Sequence, residues 1–429
     1  MSLAGGDFTR LPLGPGICLH LNPSSRFKSL RVDLFTSARM RPGDCTRVAL
    51  ISRLLERGTR RYPDLARLGR AVDELDGALL GAEVDQLGDR QLLHLFLQVL
   101  DPRYARRQGR DLLGPGLELL HELLGEPAEE GNGFRRDYLR QEKAALRQQI
   151  ASLYNDKLAY AQRRCIEVMC GGEPFGLSSL GDPADLAAIR APGLRRFHRA
   201  LLATSPIDLF VSGRVDDDLP GRLERFVDWK RQLTPPEQTP VRPGRRRRRP
   251  RRVIESQEVS QGRLVLGFRT GIRLGDPCYA ALSLFNLTWG GDTSSRLFRK
   301  VREQAGLCYY IGSHLEPLCG LLFVSAGVEE ADLEPVLASV EAQRLDLAQG
   351  RMAAAELENA KSLLAGRLTA LDDDRPGLAR FCYRQQLGGA SADRDRLRRD
   401  LAAVTRSQVA EAAMSVTLDT VYFLKGTRP

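Results

Sequence analysis

The sequence lacks the features that mark secreted, membrane-spanning and disulfide-stabilised proteins. Its first residues, MSLAGGDFTRLPLGPG, contain no apolar core of a signal peptide. The longest apolar runs, such as residues 92–100, are well short of the ~18 residues that a membrane-spanning helix needs. The eight cysteines are scattered and include no Cys-x-x-Cys pair, which favours reduced, mostly buried thiols. We therefore expect a soluble protein of the cytoplasm with no membrane association.

Lysine is also scarce, because only seven of the 64 basic residues are lysines. The formal net charge is +10, but the run RRRRRPRR at residues 245–252 supplies seven of these charges. This run ends a Pro-rich, aromatic-free stretch without helical or strand periodicity. We interpret residues 229–252 as a solvated linker. Contact of the arginine run with RNA or another polyanion is the alternative.

The chain contains an internal repeat. Residues 31–58 match residues 263–290 at nine of 28 positions without a gap, where composition alone would give about two. Three further matches follow in the same order: residues 142–156 with 360–374, Gly171-Gly172 with Gly388-Gly389, and residues 207–213 with 420–426. We therefore predict two homologous domains, 1–228 and 253–429, on either side of the linker.

Each half repeats the same order of predicted elements: a strand, a Gly-Asp turn, a helix, further strands, long helices and a terminal strand. Residues 77–84 and 91–99 alternate like the two arms of a hairpin, which favours a mainly antiparallel sheet. The prediction is an α+β fold, with helices packed on one face of each sheet.

The first predicted helix spans about residues 46–57 and has two distinct faces. Ala49, Ser52 and Arg53 share one face, at positions i, i+3 and i+4. A different stripe carries the apolar residues that we expect in the core, and these are Val48, Ile51, Leu54 and Leu55.

Over residues 30–426 the chain resembles the insulinase-like metallopeptidases, the family of pitrilysin and the mitochondrial processing peptidase. The resemblance implies the same duplicated two-domain fold. It rests on the order of elements and on the segments RPGDCTRVALISRLLERGT (41–59), FRRDYLRQEKAALRQQI (134–150), YAQRRCIEVMCGGEPFGLSSLGD (160–182) and GGDTSSRLFRKVREQAGLCYY (290–310).

Active members of this family carry His-x-x-Glu-His just before a Gly-Thr pair. The two histidines bind Zn²⁺, and the glutamate is the general base for the bound water. Counted from the Gly-Thr at residues 58–59, Ala49 and Arg53 hold the histidine positions and Ser52 holds the glutamate position. Alanine cannot ligate a metal, serine is a poor base, and arginine repels a dication.

A more distant glutamate completes the zinc site in active members. Gln149 holds the matching position here, and Glu142 lies two turns earlier on the same predicted helix. The resemblance therefore implies a degenerate zinc site. We expect no metal, no cofactor and no catalysis by the chain alone.

No other motif in the sequence replaces the lost site. There is no Gly-x-Ser-x-Gly, and the glycines at residues 290–291 lack the Lys-Ser/Thr of a nucleotide-binding loop. A site assembled by the fold from distant residues is the remaining alternative, and otherwise each histidine is interpreted as a packed or surface residue. The five histidines, dispersed along the chain, are His20, His94, His121, His198 and His314.

Two features of substrate binding are implied by the resemblance. In the family, an arginine and a tyrosine seven residues later help to hold the substrate backbone, and Arg302 and Tyr309 fit that spacing. The alternative is that Arg302 forms a salt bridge on an amphipathic helix and that Tyr309 begins a strand. Residues 77–84 match the family's edge strand, which accepts an extended peptide by β-augmentation. They could equally be an ordinary core strand.

These features predict a non-catalytic subunit of a heterodimeric peptidase. It would help to bind peptides beside an active zinc-bearing homologue, although a homodimer is possible. The chain most resembles a bacterial subgroup whose genes are paired with an active homologue and are associated with the 5-aminopentanol modification of elongation factor P. The alternatives are a scaffold protein without a peptidase role, or an RNA-associated protein that uses the arginine run.

Overall fold

The computed structural model describes residues 7–106, 109–226, 249–259 and 261–427. Within these residues the chain forms two compact units. The first unit comprises residues 7–150, 177–226 and 375–380, and the second comprises residues 151–176, 249–259, 261–374 and 381–427. None of the described helices is both long and apolar enough to span a bilayer.

The strands of the described chain are β1 (Thr9–Gly14), β2 (Ile17–Pro23), β3 (Ser29–Arg39), β4 (Leu79–Leu87), β5 (Arg90–Leu100), β6 (Glu129–Glu130), β7 (Gly133–Phe134), β8 (Ile207–Gly213), β9 (Arg251–Gln257), β10 (Gly262–Arg269), β11 (Ile311–Glu316), β12 (Leu321–Val328) and β13 (Thr417–Gly426).

The α-helices are α1 (Asp44–Leu55), α2 (Leu65–Asp73), α3 (Leu113–Gly125), α4 (Arg136–Ser152), α5 (Lys157–Met169), α6 (Ala191–Thr204), α7 (Leu219–Phe226), α8 (Tyr279–Trp289), α9 (Leu333–Ala348), α10 (Ala354–Ala370), α11 (Arg375–Leu387), α12 (Arg394–Ala403) and α13 (Arg406–Ser415). A π-helix spans Leu297–Gln304. Short 3₁₀ turns lie at Pro102–Tyr104, Pro174–Gly176, Pro183–Ala187 and Glu330–Asp332.

The first unit is built on a six-stranded sheet in the order β1-β2-β8-β3-β5-β4. All neighbouring strands are antiparallel except β2 and β8, which are parallel. Side chains alternate between the two faces of each strand. Leucines and valines such as Val32, Leu34 and Leu95 enter a core that includes residues of α1, α3 and α6.

The opposite face of this sheet carries polar side chains on the alternate positions of the same strands. We call it the polar face and define it by Cys18, His20, Asp33, His94 and Asp208. All of these are buried except Cys18, which is half-buried. His94 Nε2 lies 2.9 Å from Asp33 Oδ1, so these two side chains of the polar face are partners of each other.

Within the described residues, the second unit repeats the order β2-β8-β3-β5-β4 of this sheet. Its sheet has the order β11-β12-β10-β13-β9, and β9 and β13 form its parallel pair. One face packs in a core with residues of α8, α9 and α13, and the other face packs against α5. At Gly267 a Cβ atom would lie 2.5 Å from Met169 Sδ, so a larger residue there would force the Met169 side chain of α5 to shift.

These elements confirm the α+β class and the predicted hairpin, which is β4–β5. The units differ from the predicted domains in two places. Residues 151–176 fall within the first predicted domain, 1–228, but belong to the second unit, because α5 packs on the sheet of that unit. Residues 375–380 fall within the second predicted domain but belong to the first unit. Residues 229–248 of the predicted linker, 229–252, lie outside the described residues. The last two residues of the predicted linker belong to β9, which begins at Arg251.

Five of the eight cysteines are buried, which agrees with the prediction that most of them lie in the interior.

Candidate functional site

Helix α1 presents three of the four degenerate zinc-site positions. It begins at Asp44, after Gly43 in the left-handed region with a φ of 78°, and ends at Leu55, so it starts and stops two residues earlier than predicted. The predicted core stripe is confirmed, since its four members are all buried: Val48, Ile51, Leu54 and Leu55.

Ala49 and Ser52 offer no ligand to a metal. The methyl group of Ala49 is fully buried. Ser52 is also buried, and its hydroxyl donates a hydrogen bond to the backbone carbonyl of Ala49 at 3.0 Å. The hydroxyl is therefore engaged with the helix backbone and is not directed at a substrate or a water molecule.

Arg53 joins α1 to α4 through two hydrogen bonds. Its Nε donates to Glu142 Oε2 at 2.7 Å, and its Nη1 donates to Gln149 Oε1 at 3.0 Å. The structure thus brings Arg53 and Gln149 into direct contact. The guanidinium lies between the carboxylate and the amide of α4. We call Arg53, Glu142 and Gln149 the arginine cluster.

A second arginine completes the partners of Glu142. Arg57 Nε lies 2.8 Å from Glu142 Oε1, and Arg57 Nη2 also donates to Gln141. Two guanidinium groups therefore share one carboxylate, and Glu56 is a further acidic group that interacts with Arg53 and Glu142. A dication about 4 Å from one guanidinium would be repelled by roughly 8 kcal/mol at an effective dielectric constant of about 20. The geometry of α1 and the Arg53 guanidinium both oppose metal binding here.

In the second unit, Arg302 and Tyr309 are in contact, but through the tyrosine backbone. Arg302 lies on the π-helix, a rare geometry often found at functional sites, and its Nε donates to the Tyr309 carbonyl at 2.8 Å. The Tyr309 N–H donates to Gly327 O at 3.0 Å. These bonds hold the backbone while the tyrosine side chain is 73% exposed.

The alternative interpretation of this pair fits the structure only in part: Arg302 does lie on a helical segment, and the Tyr309 N–H pairs with β12. Among the described residues no carboxylate forms an ion pair with Arg302, whose guanidinium lies 4.4 Å from the ring centroid of Phe298. Tyr309 precedes β11, which begins at Ile311. The phenol and the remaining guanidinium N–H groups are donors suited to a peptide backbone.

The segment at residues 77–84 lies at a sheet edge. Strand β4 pairs with β5 alone and leaves its other side unpaired within the sheet. Leu79 on this strand is exposed. The Ala82 N–H donates to Glu56 Oε1 at 2.9 Å, so a side chain from the end of α1 already occupies one backbone donor of the edge.

The sequence analysis missed a second polar cluster, formed by Cys18, His20 and Asp208 on the polar face. One sulfur, one nitrogen and one oxygen of these residues lie within 4.8 Å of one another. The only sequence signal is the Cys-x-His alternation in ICLHLNP, which places both side chains on one face of a strand. Nothing in the sequence indicates that Asp208, 190 residues later, lies beside Cys18.

The interpretation of the remaining histidines as packed residues fits His198. It is completely buried. Burial, with a smaller contribution from Arg195, lowers the pKa of His198 to about 3, so the ring is neutral.

Comparison with known proteins gives consistent similarities. A sequence model described as "Peptidase M16 inactive domain" matches residues 189–364. The "probable inactive metalloprotease YmfF" of Bacillus subtilis is 31% identical over 414 residues, covering 96% of each chain. An "uncharacterized zinc protease" of Streptomyces coelicolor is 26% identical, over 85% of this chain and 77% of its own length. A conserved protein of Enterococcus faecalis has a TM-score of 0.89 at 24% identity over 98% and 99% of the chains, a likeness of fold.

Proposed function

Since the chain belongs to the M16 family of insulinase-like metallopeptidases as an inactive member, we propose that it is the non-catalytic subunit of a heterodimeric peptidase in the cytoplasm. Its partner is an active homologue that carries the zinc ion. This chain binds the extended backbone of peptide substrates, and the partner cleaves them.

The observation that carries the proposal is the arginine cluster. The positively charged guanidinium of Arg53 lies between α1 and α4 and donates hydrogen bonds to Glu142 and Gln149. Ala49 and Ser52 supply neither a ligand nor a general base. A chain with this arrangement contributes to peptide hydrolysis only through groups outside the cluster.

Arg302 and Tyr309 are the groups that we assign to substrate positioning. The backbone of Tyr309 is fixed by Arg302 and Gly327, so the exposed phenol is presented from a rigid base. A phenol and a guanidinium donate hydrogen bonds to carbonyl oxygens without any metal. Pre-organised donors of this kind lose little conformational entropy when a peptide binds.

Strand β4 is the second element that we assign to peptide binding. An unpaired edge strand offers backbone donors and acceptors to an extended peptide. Glu56 occupies the Ala82 N–H, so a docking peptide must displace this side chain or pair with other residues of the strand.

The arginine run receives less support as a nucleic-acid site. Of its three described arginines, Arg251 donates to the Val168 carbonyl at 3.1 Å, Arg252 forms an ion pair with Glu334, and Arg249 is exposed. Two of the three side chains therefore have protein partners.

The proposal is tested by reconstitution with an active homologue from the same organism. Cleavage of a quenched fluorescent peptide library is measured for the wild-type pair and for pairs containing Arg302→Ala or Tyr309→Phe. We expect a rise in KM for both variants, because fewer donors hold the peptide. Arg299→Ala, on the exposed side of the same π-helix, and Tyr154→Phe, an exposed tyrosine elsewhere, are the matched controls.

The outcomes separate the classes of function. Unchanged kinetics in both Arg302 and Tyr309 variants, with a stable complex, would leave a scaffold role and remove the substrate-binding one. Failure of the chain to associate with any active homologue would remove the proposal altogether. Binding of RNA that weakens steeply with salt and depends on residues 245–252 would favour the nucleic-acid alternative.

A further inference from the structure

The cluster of Cys18, His20 and Asp208 has no part in the proposed function. Strands β2 and β8 are parallel, and their register places Cys18 directly opposite Asp208 and His20 opposite Phe210. Because side chains alternate along a strand, Cys18 and His20 share a face with Asp208. The fold therefore assembles a thiol, an imidazole and a carboxylate from two adjacent strands.

The imidazole of this cluster is held in a fixed orientation. Its Nε2 lies 2.7 Å from Asp208 Oδ1. The ring stacks on Phe210, with centroids 4.2 Å apart and planes 4° from parallel, and the edge of Phe8 contacts Phe210 in turn. Burial opposes a charge on the ring, but the bonds to Asp208 and Cys18 outweigh it and raise the pKa of His20.

Cys18 lies beside two cationic groups. Arg10 on β1 donates from Nε to Cys18 Sγ at 2.8 Å, and His20 contacts the sulfur from β2. Burial alone would raise the pKa of the thiol, but the interactions with His20 and Arg10 outweigh it and lower the pKa of Cys18. Asp208, the acidic member of the cluster, is already bonded to His20.

The same three ligand types could hold a zinc ion, so the two possibilities must be compared. Arg10 is the group that favours the metal-free state. A guanidinium that donates to the sulfur would lie about 4 to 5 Å from a bound dication and repel it by roughly 7 kcal/mol at an effective dielectric constant of about 20. The same guanidinium attracts a thiolate. The arrangement therefore favours an anionic sulfur without a metal.

We propose that Cys18 is a reactive thiolate and a site of oxidation by small hydroperoxides. The thiolate sulfur attacks one peroxide oxygen, so an S–O bond forms and the O–O bond breaks. The leaving oxygen takes a proton from the His20 imidazolium and departs as water or an alcohol. Sulfur is oxidised by two electrons to a sulfenic acid, and the peroxide is reduced by two. Cys18 is half-buried, which leaves access for a small oxidant.

The first experiment uses Cys278 as an internal control in the full chain. Cys278 is exposed, whereas Cys18 is only half-buried. Iodoacetamide labelling at pH 6 is followed by peptide mass spectrometry. We expect Cys18 to react faster than Cys278, by about threefold for each unit of pKa lowering, because thiolate content rises about tenfold while nucleophilicity falls. Arg10→Gln should slow Cys18 and leave Cys278 unchanged.

The second experiment exposes the protein to hydrogen peroxide and traps sulfenic acid with dimedone. Labelling is expected at Cys18 first and is absent in Cys18→Ser. If Arg10→Gln fails to fold, the comparison of Cys18 with Cys278 in the wild type still decides. Slower alkylation of Cys18 than of Cys278 at pH 6 would overturn the proposal. So would one equivalent of zinc that is lost in Cys18→Ser, because the sulfur would then be a metal ligand.

Discussion

Arg53 places a permanent positive charge between α1 and α4. Its guanidinium bridges α1 and α4, and Glu142 accepts from Arg53 and is also paired with Arg57. The carboxylate side chain is 9% exposed, so its charge is largely withdrawn from water. Removing one member of such a cluster leaves a poorly compensated charge, which is more costly than removing an exposed pair.

Neutralising Glu142 is therefore expected to destabilise the protein. For Glu142→Gln we expect a loss of about 2 kcal/mol in the free energy of unfolding, because two arginines lose their counter-charge. The matched control is Glu126→Gln, since Glu126 and Arg60 form an exposed pair at 3.9 Å whose loss should cost less than about 0.5 kcal/mol. Urea unfolding of both variants provides the measurement. Equal midpoints would show that the cluster carries no special stability.

Glu316, at the end of β11, gives a residue-scale prediction about pH. Burial raises the pKa of Glu316 to about 7, and Arg384 opposes this shift only in part. The folded state therefore keeps its proton at pH values where the unfolded state, with a pKa near 4.5, has lost it. The contribution of Glu316 to stability should therefore fall as pH rises from about 4.5 to 7, by at most about 3 kcal/mol.

Glu316→Gln removes this ionisation and keeps the shape of the protonated side chain. The variant should match the wild type at pH 4.5 and be more stable at pH 8. Thermal unfolding across this pH range measures the difference. The prediction would be contradicted if the unfolding temperatures of the two proteins changed with pH in the same way.

At the scale of elements, the start of α1 is fixed by the loop that precedes α6. Thr46 Oγ1 donates to Asp185 Oδ2 at 2.6 Å and accepts from the Asp182 N–H at 2.9 Å. Gly181, with a φ of 79°, lets the loop backbone reach this turn. A Cβ atom there would lie 2.5 Å from the Thr46 backbone nitrogen and still closer to its Cα and Oγ1.

Gly181→Ala should therefore destabilise the first unit. A left-handed φ costs alanine about 1 kcal/mol, and the clash with α1 adds roughly 1–3 kcal/mol. Gly131→Ala separates the two terms, because Gly131 has a φ of 66° and nothing within 4 Å of its Cβ position. We expect Gly131→Ala to show the smaller loss alone in chemical denaturation. Similar losses of stability in both variants would mean that the loop before α6 can move away from α1 at no measurable cost in free energy.

Elements with strong periodicity could be predicted from the sequence, and elements defined by distant partners could not. The alternation in residues 77–99 predicted the β4–β5 hairpin, and the stripe containing Val48 and Ile51 predicted the buried face of α1. The π-helix around Arg302 carries no periodic signal of its own. The parallel pairing of β2 with β8 joins strands about 190 residues apart, so the Cys-x-His alternation around Cys18 could not indicate the third member of the cluster, Asp208.

At the scale of the whole molecule, the repeat in the sequence corresponds to two sheets of equal topology. Strands β2-β8-β3-β5-β4 and β9-β13-β10-β12-β11 follow the same order, each with one parallel pair. Matching glycines and core residues were enough to predict this duplication. The assignment of residues 151–176 to the second unit could not be predicted from the sequence, because it depends on the packing of α5 against Gly267 and its neighbours.

The whole chain should be free of catalytic zinc. We expect the purified protein to contain no stoichiometric zinc at the arginine cluster and to cleave no peptide alone, because Ala49 offers no ligand and Arg53 repels a dication. Elemental analysis and a peptide cleavage assay, each with and without a chelator, provide the measurement. Proteolysis by the isolated chain that a chelator abolishes would contradict this expectation.

The arginine cluster also restricts the evolutionary paths open to this protein. A single change of Arg53 to histidine would remove the hydrogen bond from the guanidinium to Gln149 and leave Glu142 with Arg57 as its remaining arginine, while Ala49 would still provide no second ligand. Metal affinity appears only when several ligands are present together. Each isolated step back toward hydrolysis would thus lower stability before it conferred any benefit. The arginine cluster therefore makes the loss of catalysis hard to reverse by single substitutions.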